Sequence, residues 1–172
     1  MTFKNILPYE KYVLTSKLSA DEVCKRISEN IEHRKGLQFS LFRRSTLKPY
    51  EGQILNHSFT INRIIQYKNS FLPLTRGNIS TFFGQTQISI EMKLSNIAII
   101  FISIWLAVVG IICLGILIIW LLQIAENKFS PGILIPFGMF IFGCLLTTLS
   151  FKFESKKTKV FLANLLEGQE NT

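Results

Sequence analysis

The chain has little of what usually carries chemistry. It holds two histidines, His33 and His57, and three cysteines, Cys24, Cys113 and Cys144. Neither histidine has a Cys, Asp or Glu at a spacing that implies a triad or a metal site. His33 reads as a helix-end residue and His57 as part of a turn, "NHS". No two cysteines have metal-ligand spacing, so all three read as small apolar fillers, and no disulfide framework is expected on a cytoplasmic side. Phosphate-binding loops, nucleophile elbows, zinc-protease helices and dinucleotide fingerprints are missing. No cofactor, no metal and no catalytic residue is therefore expected. Signatures of nucleic-acid binding are missing too, so nucleic acid is not an expected partner despite a net charge of +8.

Charge is also missing from two long stretches. None occurs from Ile97 to Leu122 or from Phe129 to Phe151. A helix rises about 1.5 Å per residue, so ~20 residues cross the ~30 Å hydrocarbon core. The first stretch, "IAIIFISIWLAVVGIICLGILIIWLL", has 26 residues, and Ile133 to Phe151 has 19. Both suffice. They are apolar all round, unlike a soluble helix with a polar stripe. Pro136, Gly138 and Gly143 are better tolerated in membrane helices than in soluble ones. The start, "MTFKNILPYEKYV", has no apolar core of sufficient length, so no cleavable signal is expected. Neither span carries an ionisable residue, so no ion or proton path is expected.

The remaining charge is basic on both flanks of the spans. Residues 1–96 hold 14 Lys and Arg against 7 Asp and Glu, and "KFESKKTK" follows the second span. The link "QIAENKFSPG" has one of each sign. This bias places both termini in the cytoplasm and the link on the other side. The short link makes the spans antiparallel neighbours. Basic flanks beside an anionic leaflet account for the net charge and make membrane lipid an expected partner.

Residues 1–95 read as a cytoplasmic α+β domain, 96–151 as a transmembrane hairpin with spans at about 97–122 and 133–151, and 152–172 as a basic tail. "SADEVCKRISENIEHR" is a helix opened by a Ser19–Glu22 capping box, with Val23, Cys24, Ile27 and Ile31 as its apolar stripe and Gly36 placed to end it. "KYVLTSKL", "LQFSLFRR" and "TQISIEMKL" alternate as half-buried strands. "EGQILNHSFTINRIIQY" reads as a hairpin turning near Asn56 and His57, with Arg63 interrupting the apolar row of Phe59, Ile61 and Ile65. The expected fold is a mostly antiparallel sheet with the helix on one face. "KKTKVFLANLLEG" reads as a short amphipathic C-terminal helix that docks on the sheet or lies at the interface.

"RIIQYKNSFLPLTRGNI" combines cations, aromatics and turn residues. It reads either as a long hairpin connection or as a concavity for an anion, made by Arg63, Tyr67, Lys68, Asn69 and Arg76. With "KPYEGQILNHSFTINRIIQYKNSFLPLTRGNI", "TQISIEMKL" and two spans, the chain resembles a group of bacterial membrane proteins with a short cytoplasmic α+β domain. That resemblance implies a plasma (inner) membrane of bacterial type, but no activity, substrate or cofactor. The expectation is a non-enzymatic, membrane-anchored module that binds a partner protein or anionic lipid. The alternatives are a membrane-bound enzyme acting on a lipid or phosphorylated substrate, and a subunit of a larger membrane complex or homo-oligomer. For the last, Gly110, Gly115, Gly138 and Gly143 would supply helix-packing faces.

Overall fold

A computed structural model describes residues 8–33, 48–65, 71–122 and 131–171. Among these, seven strands are β1 (Tyr9–Ser16), β2 (Ile31–His33), β3 (Tyr50–Leu55), β4 (Ser58–Arg63), β5 (Leu74–Phe82), β6 (Gln85–Lys93) and β7 (Gln169–Asn171). Three helices are α1 (Ala20–Asn30), α2 (Asn96–Leu122) and α3 (Leu134–Leu165). The strands form one sheet in the order β2-β3-β4-β5-β6-β1-β7. Every pairing is antiparallel except that of β2 with β3. The fold is mixed α+β, with two long apolar helices. The expected strand at Leu37–Arg44, Gly36 and most of the link between the spans lie outside the described residues.

Period-two alternation puts Tyr12, Leu14, Phe59, Ile61, Ile79, Ile88, Ile90 and Met92 on one face of the sheet. That face packs on Val23 and Ile27 of α1 and on Phe151 and Leu162 of α3. Among the described residues, no helix packs on the other face. Between β3 and β4 the chain turns through Asn56 and His57, both at positive φ, as a tight two-residue hairpin requires.

Helix α1 starts where the sequence places it, with Ser19 Oγ accepting from the Glu22 N–H at 3.2 Å. It ends early, at Asn30. Ile31 to His33 instead run parallel to Tyr50 to Gly52. Ile31 is β-branched and fully buried, so joining the sheet edge wins over a last helical turn. His33 is therefore a strand residue, and Gly36 does not end this helix.

The larger correction concerns the C-terminus. The second span and the C-terminal helix are one element, α3, of 32 residues and about 48 Å. No glycine or proline interrupts it between Gly143 and its end. From the end of the apolar run onward its buried side chains are Phe151, Glu154, Ser155, Thr158 and Leu162, on one side of the helix. Phe161 stacks on Tyr50 with centroids 4.2 Å apart. The C-terminal segment thus docks on the sheet, and β7 then pairs with β1. The segments before α2 and after α3 consequently lie on one side of the helix pair.

Helices α2 and α3 are each long and apolar enough to cross a membrane. A soluble core helix would be mostly buried, yet only 17% of the most apolar window of α2 and 11% of that of α3 are. The seam between them is narrow: the Trp105 ring occupies the space over Gly143, and Phe140 lies 3.5 Å from where a Gly110 Cβ would sit. Gly115 and Gly138 face open space.

Two glycines test this packing. A Cβ on Gly77 would run into the Phe59 ring, and one on Gly143 into Trp105. Gly77→Ala is expected to destabilise the sheet domain by about 1–3 kcal/mol through overpacking. Gly143→Leu is expected to splay the helix pair. Thermal unfolding of the detergent-solubilised chain checks the first and a Trp105 emission shift the second; no change in either would contradict these contacts.

Candidate functional site

The two arginines of the anion-site reading do not meet. Thr60 stands opposite Arg76 and Ile61 opposite Thr75. Arg76 therefore shares a face with Thr60, whereas Arg63 follows Phe59 and Ile61 onto the core face. One concavity cannot hold both. Tyr67, Lys68 and Asn69 lie outside the described residues.

Arg63 serves the inside. Its guanidinium donates to the Glu154 carboxylate on α3, which is 2% exposed and also receives Lys157 Nζ at 3.0 Å. Burial acts first to raise the Glu154 pKa, but the bonds from Lys157 and Arg63 outweigh it and hold the carboxyl below its ordinary value. Glu10 on β1 is the second such group. Lys152 Nζ lies 2.7 Å from it, the Ser155 hydroxyl 2.8 Å and Lys159 Nζ 3.1 Å. Burial again raises, and these donors lower by more. Three of the lysines of "KFESKKTK" are thus tied to carboxylates of the sheet–helix interface. Nearby, the Tyr12 hydroxyl is buried with Lys159 Nζ 4.5 Å above its ring. Burial, then Glu170 and Glu10, push its pKa far up, so it is a neutral phenol.

These contacts also orient the domain. Glu10 meets Lys152 at one end of β1, and Ser16 Oγ donates to the Leu166 carbonyl at 2.6 Å at the other. Six strand residues and fourteen helical residues both span roughly 20 Å. The sheet therefore stands along the continuation of α3. Its base is the Lys93–Leu74–Tyr9 end, and only Leu94 and Ser95 separate it from α2.

Arg76 serves the outside. Thr60, Arg76, Glu91 and Lys11 form one cross-strand row on the open face. With Ser58, Asn78 and Ser89 they line a shallow polar depression of about 360 Å³. Among the described residues, neither Lys11 nor Arg76 forms a salt bridge or a side-chain hydrogen bond. One glutamate between two exposed cations leaves the row net positive. Lys11 and Glu91 were not singled out by sequence, because they are 80 residues apart in the chain. Alternation alone assigns each a face; only register makes them neighbours.

The fold also brings Cys24 Sγ to 3.8 Å from His57 Nδ1, a pairing that their separation in sequence conceals. It is not an activated nucleophile. Burial, then Asp21, raise the thiol pKa, so the sulfur stays protonated at neutral pH. Among the described residues no group of three potential metal ligands occurs.

Comparison with protein-family models, with curated proteins and with solved structures finds no match to the chain.

The opposite faces separate the arginines experimentally. Arg63→Ala takes a charged donor from the buried Glu154 and is expected to cost about 3 kcal/mol of stability. Arg76→Ala is expected to stay within about 0.5 kcal/mol of the unaltered chain. Denaturant unfolding of both variants decides; equal losses would refute the assignment. Glu10 and Glu154 have depressed folded pKa values, so their stabilisation is complete above the unfolded value and is lost as pH falls through the folded one. The domain is expected to hold at neutral pH and weaken progressively below pH 4.5, the ordinary carboxylate value. An acid titration of unfolding checks this, and Glu154→Gln is expected to flatten it.

Proposed function

We propose that the protein is a non-enzymatic, membrane-anchored binding module of a bacterial inner membrane, with both termini in the cytoplasm. Helices α2 and α3 cross the bilayer, and the open face of the sheet receives an acidic surface of a partner protein. The observation that carries this is the division of the sheet. One face is used up by α1 and α3, while the other is polar, solvent-facing and carries Lys11 and Arg76 with no ion-pair partner among the described residues. A face with satisfied packing on its back and unpaired cations on its front is suited to recognition.

Phosphate headgroups are the second reading. Arg76, Lys11 and Lys93 lie within two register steps of the base, close to the start of α2. Cations near an anionic leaflet contribute about 1 kcal/mol each. Enzymatic action on a lipid or phosphorylated substrate is weaker, because burial and Asp21 hold the Cys24 thiol beside His57 in its protonated form. A role as subunit of a larger complex is compatible with the anchored module, with Gly115 and Gly138 open on the helix pair.

The test is purification of the intact chain from its native membrane in mild detergent, beside Lys11→Ala/Arg76→Ala. Mass spectrometry is expected to find a protein in fixed proportion with the unaltered chain and at least tenfold less of it with the variant. Anionic lipid showing that behaviour instead would favour the headgroup reading. Identical recoveries would sink both.

A further inference from the structure

The end of the sheet farthest from α2 carries a feature that neither packing nor the open-face depression uses. Strands β5 and β6 are joined by a two-residue turn, Phe83-Gly84, with Phe82 opposite Gln85. Phe82 is 57% exposed and Phe83 90%. Their rings meet edge to face at 4.5 Å. Phe83 holds φ 47°, a left-handed backbone that a bulky residue adopts only under strain. Asn or Gly ordinarily fills such a position. An exposed aromatic pair on a strained turn opposes both solubility and stability, so its use lies in an intermolecular contact.

The strand edge beside the pair is open as well. Pairing of β4 with β5 stops at Ser58↔Asn78, followed by the Ile79 N–H donating to the His57 carbonyl at 2.8 Å. By alternation the Thr81 N–H and C=O point the same way, where no described strand stands. Ser80 to Phe82 thus form a short arm that, among the described residues, is paired on the β6 side alone, with the Thr81 N–H and C=O open on the other.

We infer that this arm docks a partner protein by taking an extended apolar segment of it onto the free edge of β5, with Phe82 and Phe83 packed against that segment. The inference rests on the anchored-module reading and names the kind of partner. Backbone groups open at an edge are met by another strand, which favours an extended segment. The chain's own bilayer is out of reach, since nine residues of β6 hold the tip about 30 Å from the base. No charge lies between Arg76 and Glu91, so the tip lacks the basic residues that hold a loop on an anionic membrane. A second copy in the same membrane would present β5 in the same direction. A two-fold axis along the strands gives a parallel pair, whose two strands bond through different residues and so cannot be equivalent.

The test displays random peptides on phage against the full chain in neutral-lipid nanodiscs, with counter-selection on Phe82→Ser/Phe83→Asn. Asn accepts the left-handed backbone, so the variant is expected to fold with an equal or higher thermal midpoint. Enriched peptides are expected to alternate apolar residues and to bind the unaltered chain at least tenfold more tightly than the variant. N-methylation of alternate peptide amides is expected to abolish binding in one phase and spare it in the other. Failure to enrich such peptides, or binding indifferent to the tip variant, overturns the inference. Affinity lost with Lys11→Ala/Arg76→Ala instead assigns the peptides to the depression and overturns it too, leaving the open-face reading intact. Tip-dependent pairing of nanodiscs, or tip-dependent capture of empty anionic vesicles, overturns it in favour of a second copy or a second membrane.

Discussion

A carboxylate cannot be buried in a protein without donors, and Glu154 is the group on which this architecture turns. It sits on α3 one turn past the apolar run, almost wholly out of water. Arg63 reaches it from the sheet and Lys157 from its own helix. A shift of α3 by one residue would leave the charge facing apolar side chains. The ion cluster, with Glu10 and its three donors as a second clamp, therefore sets one register of helix on sheet.

That register decides how the pair of long apolar helices and the sheet are connected. Two residues join β6 to α2, and α3 continues from one region into the other without a break. Neither connection has a hinge. Docking α3 along β1 consumes the apolar face of the sheet, lifts the strands away from the base and lets β7 close on β1. The open face and the far hairpin are what remains for contact with other molecules. Their characters differ: a polar row with net positive charge near the base, and an uncharged aromatic arm at the far end.

The local patterns were legible. Alternation identified the faces of β1, β4 and β6, the positive-φ turn at Asn56 and His57 lay where the hairpin was expected, and Ser19 capped its helix. Ile31 misled because its spacing of four from Ile27 continues a helical stripe, while a buried β-branched residue serves a strand equally well. The C-terminal half of α3 misled for the opposite reason. Its buried stripe contains Glu154, Ser155 and Thr158, which hydropathy reads as a solvent face. Arg63 and Arg76 looked like one site because they are near in sequence. Strand parity and a hairpin between them send them to opposite sides.

By itself the sequence determined the quantities that depend on composition over a short window. These are two apolar runs long enough to cross a bilayer, a half-buried sheet pattern between residues 11 and 94, and an excess of cations beside the apolar segments. Tertiary structure alone decided which charges neutralise each other and which remain unpaired. The reason is physical. Periodicity along a chain fixes the face a side chain takes, but pairing energies depend on distances between segments up to 150 residues apart, as between Ser16 and Leu166. Those distances exist only once register and docking are set.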